Sequence, residues 1–336
     1  MFFGPGRIEL VDVPRPAAGP GEVLVRIGAA LTCATDFKAY RQGHPVLLGE
    51  LPAPFGHELA GTVEEIGEGT AGFATGMRVV AANSAPCDRC PYCKKGQSQL
   101  CDELKLHNGA YAEYSLVPAQ IVKHNLYPIP SRLTFQEAAL AEPLACALHA
   151  VDAMRVEAGE RAAIVGAGTM ALLLIQALKA RGARVLVVGR NPGRLAHAEA
   201  AGADRTLSAE DGTWAAQAKE WAGGIGPDVA FEAVGKAETW QQAVGLVRKG
   251  GRVCLAGGCA MGTRVSLDAH RVHYEQIEIH GVFHHTPKYF GQAVDLLSLG
   301  RVRTSLLIAS SIQLDEVPAY FERMQNESST KVAVIP

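Results

Sequence analysis

Four of the eight cysteines in this 336-residue chain stand close together, in the stretch APCDRCPYCKKGQSQLCD. Their spacing is C-x2-C-x2-C-x7-C, formed by Cys87, Cys90, Cys93 and Cys101. Four thiolates can converge tetrahedrally on one ion, and zinc suits four soft ligands with no open coordination position. Unligated cysteines in a core are a poor alternative, because the intervening Asp88, Arg89 and Lys94 are not core residues. The spacing therefore predicts a structural zinc site in a compact loop, rather than in a helix or strand.

An iron–sulfur cluster and a nucleic-acid-binding zinc ribbon both fit the four cysteines less well. An iron–sulfur cluster also takes four cysteines, but the ferredoxin spacings differ from this one. A zinc ribbon in a nucleic-acid-binding protein would look similar locally, but the formal net charge of −2 provides no basic excess for that partner. A structural zinc site by itself indicates stabilisation of a loop and says nothing about activity.

A second set of metal-binding side chains is dispersed along the chain. It comprises Cys33 in CATD, His57 and Glu58 in GHE, and Glu142 in AEPLACALH. One thiolate, one imidazole and one or two carboxylates make a reasonable catalytic zinc site, because an open position lets the ion bind water or an alkoxide. Singly, each also fits an ordinary role: a core thiol for Cys33, a turn residue for His57 and a helix N-terminal carboxylate for Glu142.

A glycine-rich turn lies farther along, in the stretch IVGAGTMA, which matches G-x-G-x-x-A. Gly166 permits a tight turn, and Gly168 lets the backbone approach a pyrophosphate. Thr169 and Met170 follow at the N-terminus of a predicted helix, which faces the phosphates. A glycine-rich turn that binds nothing is the alternative. The strand, turn and helix context favours a dinucleotide site.

The surrounding elements divide the chain into two parts. Before residue 145, short alternating runs such as EVLVRIGA and LAGTVEEIGEG, separated by glycine and proline, predict a mainly β domain. After that, apolar runs alternate with segments of helical length, as in AAIVGAG followed by TMALLLIQALKARG. Buried strands alternating with helices predict parallel βαβ units. By pattern alone, the C-terminal segment with helix-like YFGQAVDLLSLG and strand-like KVAVIP fits either part.

The order of these pieces resembles the zinc-dependent medium-chain dehydrogenases, notably their sorbitol and threonine dehydrogenase-like branch. The resemblance covers nearly the whole chain and rests on CATD, GHE, the cysteine cluster, EPLAC, GAGTMA and KVAV. It implies an α/β protein with a GroES-like β domain, residues 1–145 and 286–336, that carries both zinc ions. The remaining residues, 146–285, would form a Rossmann domain with a doubly wound parallel sheet. In that family the active site lies in the cleft between the domains.

The resemblance also implies roles for single residues. Cys33, His57 and Glu142 would bind the catalytic zinc, with Glu58 beside the ion and able to exchange onto it. Asp36 would orient His57 by a hydrogen bond.

The implied reaction is hydride transfer between an alcohol or polyol and a nicotinamide cofactor, with zinc lowering the pKa of the alcohol. Thr35 would receive the hydroxyl proton into a relay. Many relatives continue that relay with a histidine two residues after the aspartate of CATD; this chain has Lys38, and His44 is a candidate outlet. Lys331 falls where the family usually places a basic residue near Glu58 and the cofactor phosphates.

The strand RVLVVGRNPGR bears on which nicotinamide is used. An NAD site usually has an acidic residue at the end of this strand, but none occurs between Glu160 and Glu199. Gly189 occupies the expected acidic place, which we interpret as leaving room for a 2′-phosphate. Arg190 would pair with that phosphate and Arg194 would assist. The alternative is that both arginines are ordinary turn and helix residues. We expect NADP(H) to be preferred, with NAD(H) the other option.

Composition and termini limit the remaining possibilities. The sequence has neither a secretory signal nor an apolar run of roughly 18 residues, which predicts a cytoplasmic protein. The formal net charge of −2 gives no excess to hold nucleic acid or an acidic membrane surface, so we expect neither as a partner. The chain opens at MFFGPG, so we expect the first strand of the family to be shortened. An apolar edge strand, IEIHGVF, together with the resemblance, predicts a homodimer or homotetramer.

Several residues have no fixed role at this point. His284 and His285 are either substrate contacts or hydrogen-bonded loop histidines. Three cysteines, Cys146, Cys254 and Cys259, are expected to be small core residues. The small-molecule alcohol or carbonyl substrate is not readable from the sequence. The competing function is a non-catalytic or regulatory protein that keeps this fold and a structural zinc.

Overall fold

The computed structural model describes residues 1–323 and 330–336. The chain divides into two compact units, one made of residues 1–145 and 285–336, and the other of residues 146–284. Among the described residues, no helix is both long enough and apolar enough to cross a membrane.

The N-terminal part of the first unit is mainly strand, as its alternating sequence predicts. Its strands are β1 (Phe2–Gly4), β2 (Arg7–Ile8), β3 (Val23–Leu31), β4 (Glu58–Ile66), β5 (Arg78–Ala81), β6 (Ser84–Ala85), β7 (Lys105–Leu106), β8 (Tyr114–Val117) and β9 (Leu126–Pro128). Its helices are α1 (Ala34–Gln42), α2 (Pro45–Leu48), α3 (Pro91–Lys94), α4 (Ala119–Asn125) and α5 (Phe135–Ala139), and α6 (Ala141–Ala153) begins in this unit and continues past residue 145 into the second. A 3-10 turn covers Ser98–Leu100.

The second unit alternates strands with helices. Its elements are β10 (Arg161–Val165), α7 (Thr169–Ala180), β11 (Arg184–Gly189), α8 (Pro192–Ala201), β12 (Arg205–Ser208), α9 (Trp214–Trp221), β13 (Val229–Glu232), α10 (Ala237–Leu246), β14 (Arg252–Leu255), α11 (Ala269–Tyr274) and β15 (Glu278–Gly281). Within residues 146–284 the strands form a parallel sheet in the order β12-β11-β10-β13-β14-β15. The chain order reverses beside β10, where a doubly wound sheet binds its ligand.

The C-terminal segment returns to the first unit. It contains α12 (Pro287–Ser298), β16 (Ile308–Gln313), α13 (Val317–Arg323) and β17 (Lys331–Ile335), with 3-10 turns at Thr304–Leu306 and Leu314–Glu316. The described residues of this unit form a sheet in the order β16-β17-β3-β4-β5-β9, with β8 also paired to β3. The strand β17 pairs antiparallel with β3, which places the chain's last strand at the end of β3.

The fold class predicted from the sequence is confirmed: a GroES-like β domain and a Rossmann domain. One local expectation is wrong. The cysteine loop is not free of helix, because Cys90 caps one helical turn, α3, with Pro91 at its first position. The first strand, β1, is three residues long and pairs with β2.

Candidate active site

Three strand ends meet at one point of the first unit. β3 ends at Leu31, two residues before Cys33. β4 begins at Glu58, which pairs with Leu31 across the antiparallel ladder. β17 begins at Lys331, and Ala333 in that strand also pairs with Leu31. Because Leu31 has a partner on each side, side chains that are far apart in the sequence converge beside it.

Cys33 stands at the turn between β3 and α1 and caps the helix. Its Sγ accepts a hydrogen bond from Thr35 N at 3.4 Å, and its own N–H donates to Asp36 Oδ2 at 3.0 Å. This reciprocal pair is a capping box in which a thiol takes the usual place of a hydroxyl. The cap fixes the thiol against the first turn of α1 while leaving Thr35 half-buried beside it.

The ligand atoms of Cys33, His57 and Glu58 all lie within 4.8 Å of one another. His57 and Glu58 are buried. His57 Nδ1 is 2.9 Å from Asp36 Oδ1, and a carboxylate can only accept, so the ring proton sits on Nδ1. The lone pair of Nε2 is then available to a metal ion, which is the usual arrangement of a zinc-binding histidine.

Glu58 has one satisfied oxygen and one that is not. Its Oε1 accepts from Lys331 Nζ at 2.6 Å, and the same ammonium donates to Thr32 O at 3.0 Å. Its Oε2 is buried and has no hydrogen-bond partner within residues 1–323 and 330–336. Buried polar atoms are rarely left unsatisfied. An oxygen of this kind beside a thiol and an imidazole fits a cation ligand.

The charges of the cluster also indicate a cation site. Burial raises the pKa of Glu58 to about 8 and that of Glu142 to about 7. Burial also acts to raise the pKa of Cys33, but Lys331, followed by His57, outweighs it and lowers the pKa of the thiol to about 7. Acidic groups are therefore crowded in a desolvated space around one ammonium. A divalent cation would relieve that crowding, so the residues present fit zinc.

Glu142 lies in the first turn of α6 and is buried. Its carboxylate is close enough to His57 and Glu58 for both to influence its pKa. Its Oε1 is 3.7 Å from His285 Nε2, and that nitrogen is 3.1 Å from Asn83 Oδ1. The structure thus makes His285 a buried neighbour of Glu142, and Asn83 was not singled out in the sequence.

The two residues considered for the outlet of the proton relay lie in different surroundings. Lys38 is exposed on α1. His44 caps α2, and its Nδ1 accepts from Leu47 N at 3.1 Å. A relay role for His44 would therefore use Nε2.

The four clustered cysteines also converge, with their sulfur atoms within 4.8 Å of one another. Backbone N–H groups point at three of the sulfurs: Cys87 N at Cys101 Sγ (3.3 Å), Cys90 N at Cys87 Sγ (3.4 Å) and Cys93 N at Cys90 Sγ (3.5 Å). The thiolate form of cysteine is the metal ligand, and such donors favour it. The donor set fits a closed, structural zinc site.

In the second unit, the turn after β10 has the geometry of a phosphate cradle. Gly166 has a φ of +117°, and a Cβ there would lie 2.8 Å from Val234 Cγ2. Gly168 caps α7 without a side-chain hydrogen bond, and nothing lies within 4 Å of where its Cβ would be. Thr169 and Met170 begin the helix. An open backbone at a helix N-terminus fits the pyrophosphate of a dinucleotide.

The interpretation of Gly189 as room for a phosphate stays a prediction. A Cβ at Gly189 would lie 2.7 Å from Ala167 Cβ and 3.1 Å from Leu195 Cδ2, so packing against the glycine turn accounts for this residue. Arg190, just after β11, is exposed. Arg194 Nε is buried without a hydrogen-bond partner in the described structure. Burial, and next the charge of Arg190, lower the pKa of Arg194.

Comparisons with known proteins identify the family of this chain. Residues 19–131 match the alcohol dehydrogenase GroES-like domain, and residues 169–298 match the zinc-binding dehydrogenase domain. An erythritol/L-threitol dehydrogenase from Mycolicibacterium smegmatis is 30% identical over 100% of this chain and 96% of its own. A D-altritol 5-dehydrogenase from Agrobacterium fabrum is 31% identical over 98% of this chain and 96% of its own.

This chain belongs to the zinc-dependent medium-chain dehydrogenases. A crystal structure from Sinorhizobium meliloti 1021, named as a zinc-binding dehydrogenase bound to NADP, has a TM-score of 0.90 and 32% identity, covering 98% of this chain and 96% of its own. The predicted branch and the predicted activity, hydride transfer between an alcohol or polyol and a nicotinamide, are confirmed.

Other residues of this medium-chain dehydrogenase were expected in the core, left open or not identified from the sequence, and the structure places them as follows. Cys254 is buried in the core as predicted, but Cys146 and Cys259 are only half-buried. His284 adopts a left-handed backbone, with a φ of +61°, and its carbonyl accepts from His149 Nδ1 at 2.7 Å. Tyr111, which was not marked in the sequence, donates to Asp36 Oδ2 at 2.6 Å. Its aromatic character is typical of a core residue, so the pattern carried no signal for it.

Proposed function

We propose that this chain is a polyol or secondary-alcohol dehydrogenase with one catalytic and one structural zinc and a preference for NADP(H). Cys33, His57 and Glu142 bind the catalytic ion, and Glu58 exchanges onto it. The observation that carries the proposal is that the ligand atoms of Cys33, His57 and Glu58 lie within 4.8 Å of one another, with Glu58 Oε2 buried and unsatisfied among the described residues. The four clustered cysteines bind the structural ion.

A bound zinc ion supplies the Lewis acidity that lowers the pKa of an alcohol, and the nicotinamide exchanges hydride with the substrate carbon. The chain's own residues orient the metal ligands and accept the substrate proton. Asp36 keeps the proton of His57 on Nδ1. Lys331 neutralises Glu58 through the 2.6 Å contact. Thr35, held beside Cys33 by the helix cap, receives the hydroxyl proton of the substrate.

The cofactor preference is supported by three features of the second unit. No acidic residue ends β11 to accept a ribose hydroxyl. Arg190 is exposed immediately after that strand. Arg194 has a buried Nε without a partner among the described residues, and the charge of Arg190 helps to lower its pKa. A 2′-phosphate would pair with both arginines. Lys331 is proposed as a cofactor-site residue only because of the family resemblance.

The substrate class is supported by the relatives. The named proteins act on erythritol, L-threitol and D-altritol, all of which are polyols. Oxidation of each candidate polyol with NADP⁺ or NAD⁺, followed by absorbance of the reduced nicotinamide, tests the proposal. We expect turnover by the wild-type protein and its loss in Cys33→Ser. Binding of zinc and cofactor without turnover of any polyol, alcohol or matching ketone would favour the regulatory alternative.

The proposal also includes a cytoplasmic homodimer or homotetramer. The four clustered cysteines fit a metal site rather than a pair of disulfides, which fits a reducing compartment. β15 lies at the edge of the second unit's sheet, and an uncovered edge strand favours pairing with another chain. Light scattering at working concentration tests the assembly. A single species of 35.6 kDa would contradict it.

A further inference from the structure

Tyr111 connects the two motifs that carry Cys33 and His57. Its backbone runs against the segment just before His57: Gly109 N and Ala110 N both donate to Gly56 O, at 2.9 and 3.1 Å, and Tyr111 N donates to Phe55 O at 3.0 Å. These bonds fix the position of the tyrosine ring relative to the GHE motif.

The ring itself lies on the backbone of Gly56. A Cβ at Gly56, whose φ is +82°, would lie 2.8 Å from three carbons of the Tyr111 ring. The ring also contacts Phe55 and Phe321, with centroids 5.9 and 6.0 Å away. Packing therefore holds the ring in one place, and only the direction of the hydroxyl proton can still vary.

That hydroxyl reaches the carboxylate that orients His57. Tyr111 Oη is 2.6 Å from Asp36 Oδ2, and a longer contact of 3.3 Å reaches Leu31 O. Asp36 Oδ2 also accepts from Cys33 N at 3.0 Å, while Oδ1 faces His57 Nδ1 at 2.9 Å. Burial, and next the charge of Asp36, raise the pKa of Tyr111 well above its usual value, so the hydroxyl stays a donor.

We propose that Tyr111 is a positioning residue for the catalytic metal centre. Its hydroxyl fixes the Asp36 carboxylate, which in turn fixes the ring of His57 with Nε2 free to bind the ion. A phenylalanine would fill the same space on Gly56 but, among the described residues, would leave Asp36 Oδ2 with only the Cys33 N–H contact. A buried carboxylate with fewer donors is free to reorient, and the histidine it holds follows. This inference rests on the proposed catalytic zinc site.

The test compares Tyr111→Phe with Tyr40→Phe. Tyr40 is buried in the same core and donates to Gly6 O at 3.0 Å, so each variant removes one buried hydroxyl. Zinc dissociation constants are measured by chelator competition. We expect Tyr111→Phe to weaken zinc binding at the catalytic site about tenfold, in line with the effect of losing an outer partner of a metal ligand. Tyr40→Phe should leave zinc affinity unchanged.

Two further measurements separate positioning from loss of stability. The absorption spectrum of the cobalt-substituted protein should shift in Tyr111→Phe and not in Tyr40→Phe, because it reports the geometry around the ion. In an Asp36→Asn background, Tyr111→Phe should have no additional effect on zinc affinity. Equal zinc affinity and an unchanged cobalt spectrum in Tyr111→Phe would overturn the inference.

Cys33→Ser distinguishes this failure from failure of the site itself. If Cys33→Ser loses one zinc ion and Tyr111→Phe binds zinc like the wild type, only the role of Tyr111 is wrong. If Cys33→Ser keeps the full zinc content, the proposed catalytic site is wrong, and the inference falls with it.

Discussion

Lys331 Nζ lies 2.6 Å from Glu58 Oε1, and both side chains are buried. The two residues are joined because β17 and β4 flank β3. Removing one member of a buried pair leaves an uncompensated charge, which typically costs about 3–5 kcal/mol. We expect Lys331→Met to lower the free energy of unfolding of the metal-free protein by that order, measured by denaturant titration.

Lys123→Met is the control for that experiment. Lys123 pairs with Asp88 at 3.0 Å on the surface, where ion pairs contribute little. The control should leave unfolding nearly unchanged. Equal losses of stability in the two variants would show that burial of the Lys331–Glu58 pair has no special effect.

The two zinc sites should respond differently to the same chemical change. Cys90→Ser removes a ligand from the cysteine cluster and should lower the melting temperature and the zinc content by one ion, since a structural zinc stabilises the fold around it. Cys33→Ser should remove the other ion and abolish turnover with a smaller change in melting temperature. Elemental analysis, calorimetry and the polyol assay measure these effects. Loss of turnover in Cys90→Ser at a temperature where it remains folded would contradict the division of roles.

Zinc binding at the catalytic site should weaken as the pH falls. Zinc requires deprotonated ligands, and without the ion the pKa values of Glu142 and Glu58 are raised to about 7 and 8, while that of Cys33 is lowered to about 7. Below about pH 7, protons therefore compete for all three groups. The rise in melting temperature on adding zinc should be larger at pH 8 than at pH 6. The same rise at both pH values in Cys90→Ser, which retains only this site, would argue against protonated ligands.

Cofactor choice should depend on Arg190. Loss of a charge-assisted hydrogen bond to a 2′-phosphate costs about 1.5–3 kcal/mol, so Arg190→Ala should lower kcat/KM for NADP(H) by about tenfold or more and leave NAD(H) unaffected. Arg181→Ala, which removes an exposed partner of Asp152, is the matched control. A wild-type advantage for NAD(H), or equal losses with both cofactors, would refute the preference.

Much of the fold was predictable because the hydrophobic period of a strand or helix is visible within the residues of that one element. The runs that form β3, β4, β10 and α7 alternate or stay apolar over the length of one element. β12, with the sequence RTLS, was missed because it is short and only one of its residues is buried. The parallel sheet supplies its partner, and that pairing is not visible in the local sequence.

The candidate site was predictable only in part. Ligand types and motif spacing pointed to Cys33 and His57, but Tyr111 reaches Asp36 from 75 residues away and is typical, by type alone, of an ordinary core aromatic. A glycine at a strand end has two causes, ligand space and close packing, and the sequence alone does not distinguish them at Gly189. The close approach of Ala167, which supports the packing cause, depends on the three-dimensional turn.

The most direct test of the central claim is a crystal structure with anomalous diffraction at the zinc absorption edge, from protein purified without added metal. We predict two anomalous peaks per chain. One should lie among the sulfurs of Cys87, Cys90, Cys93 and Cys101, and the other within bonding distance of Cys33 Sγ and His57 Nε2. A single peak at the cysteine cluster, with none beside Cys33, would contradict the catalytic zinc site.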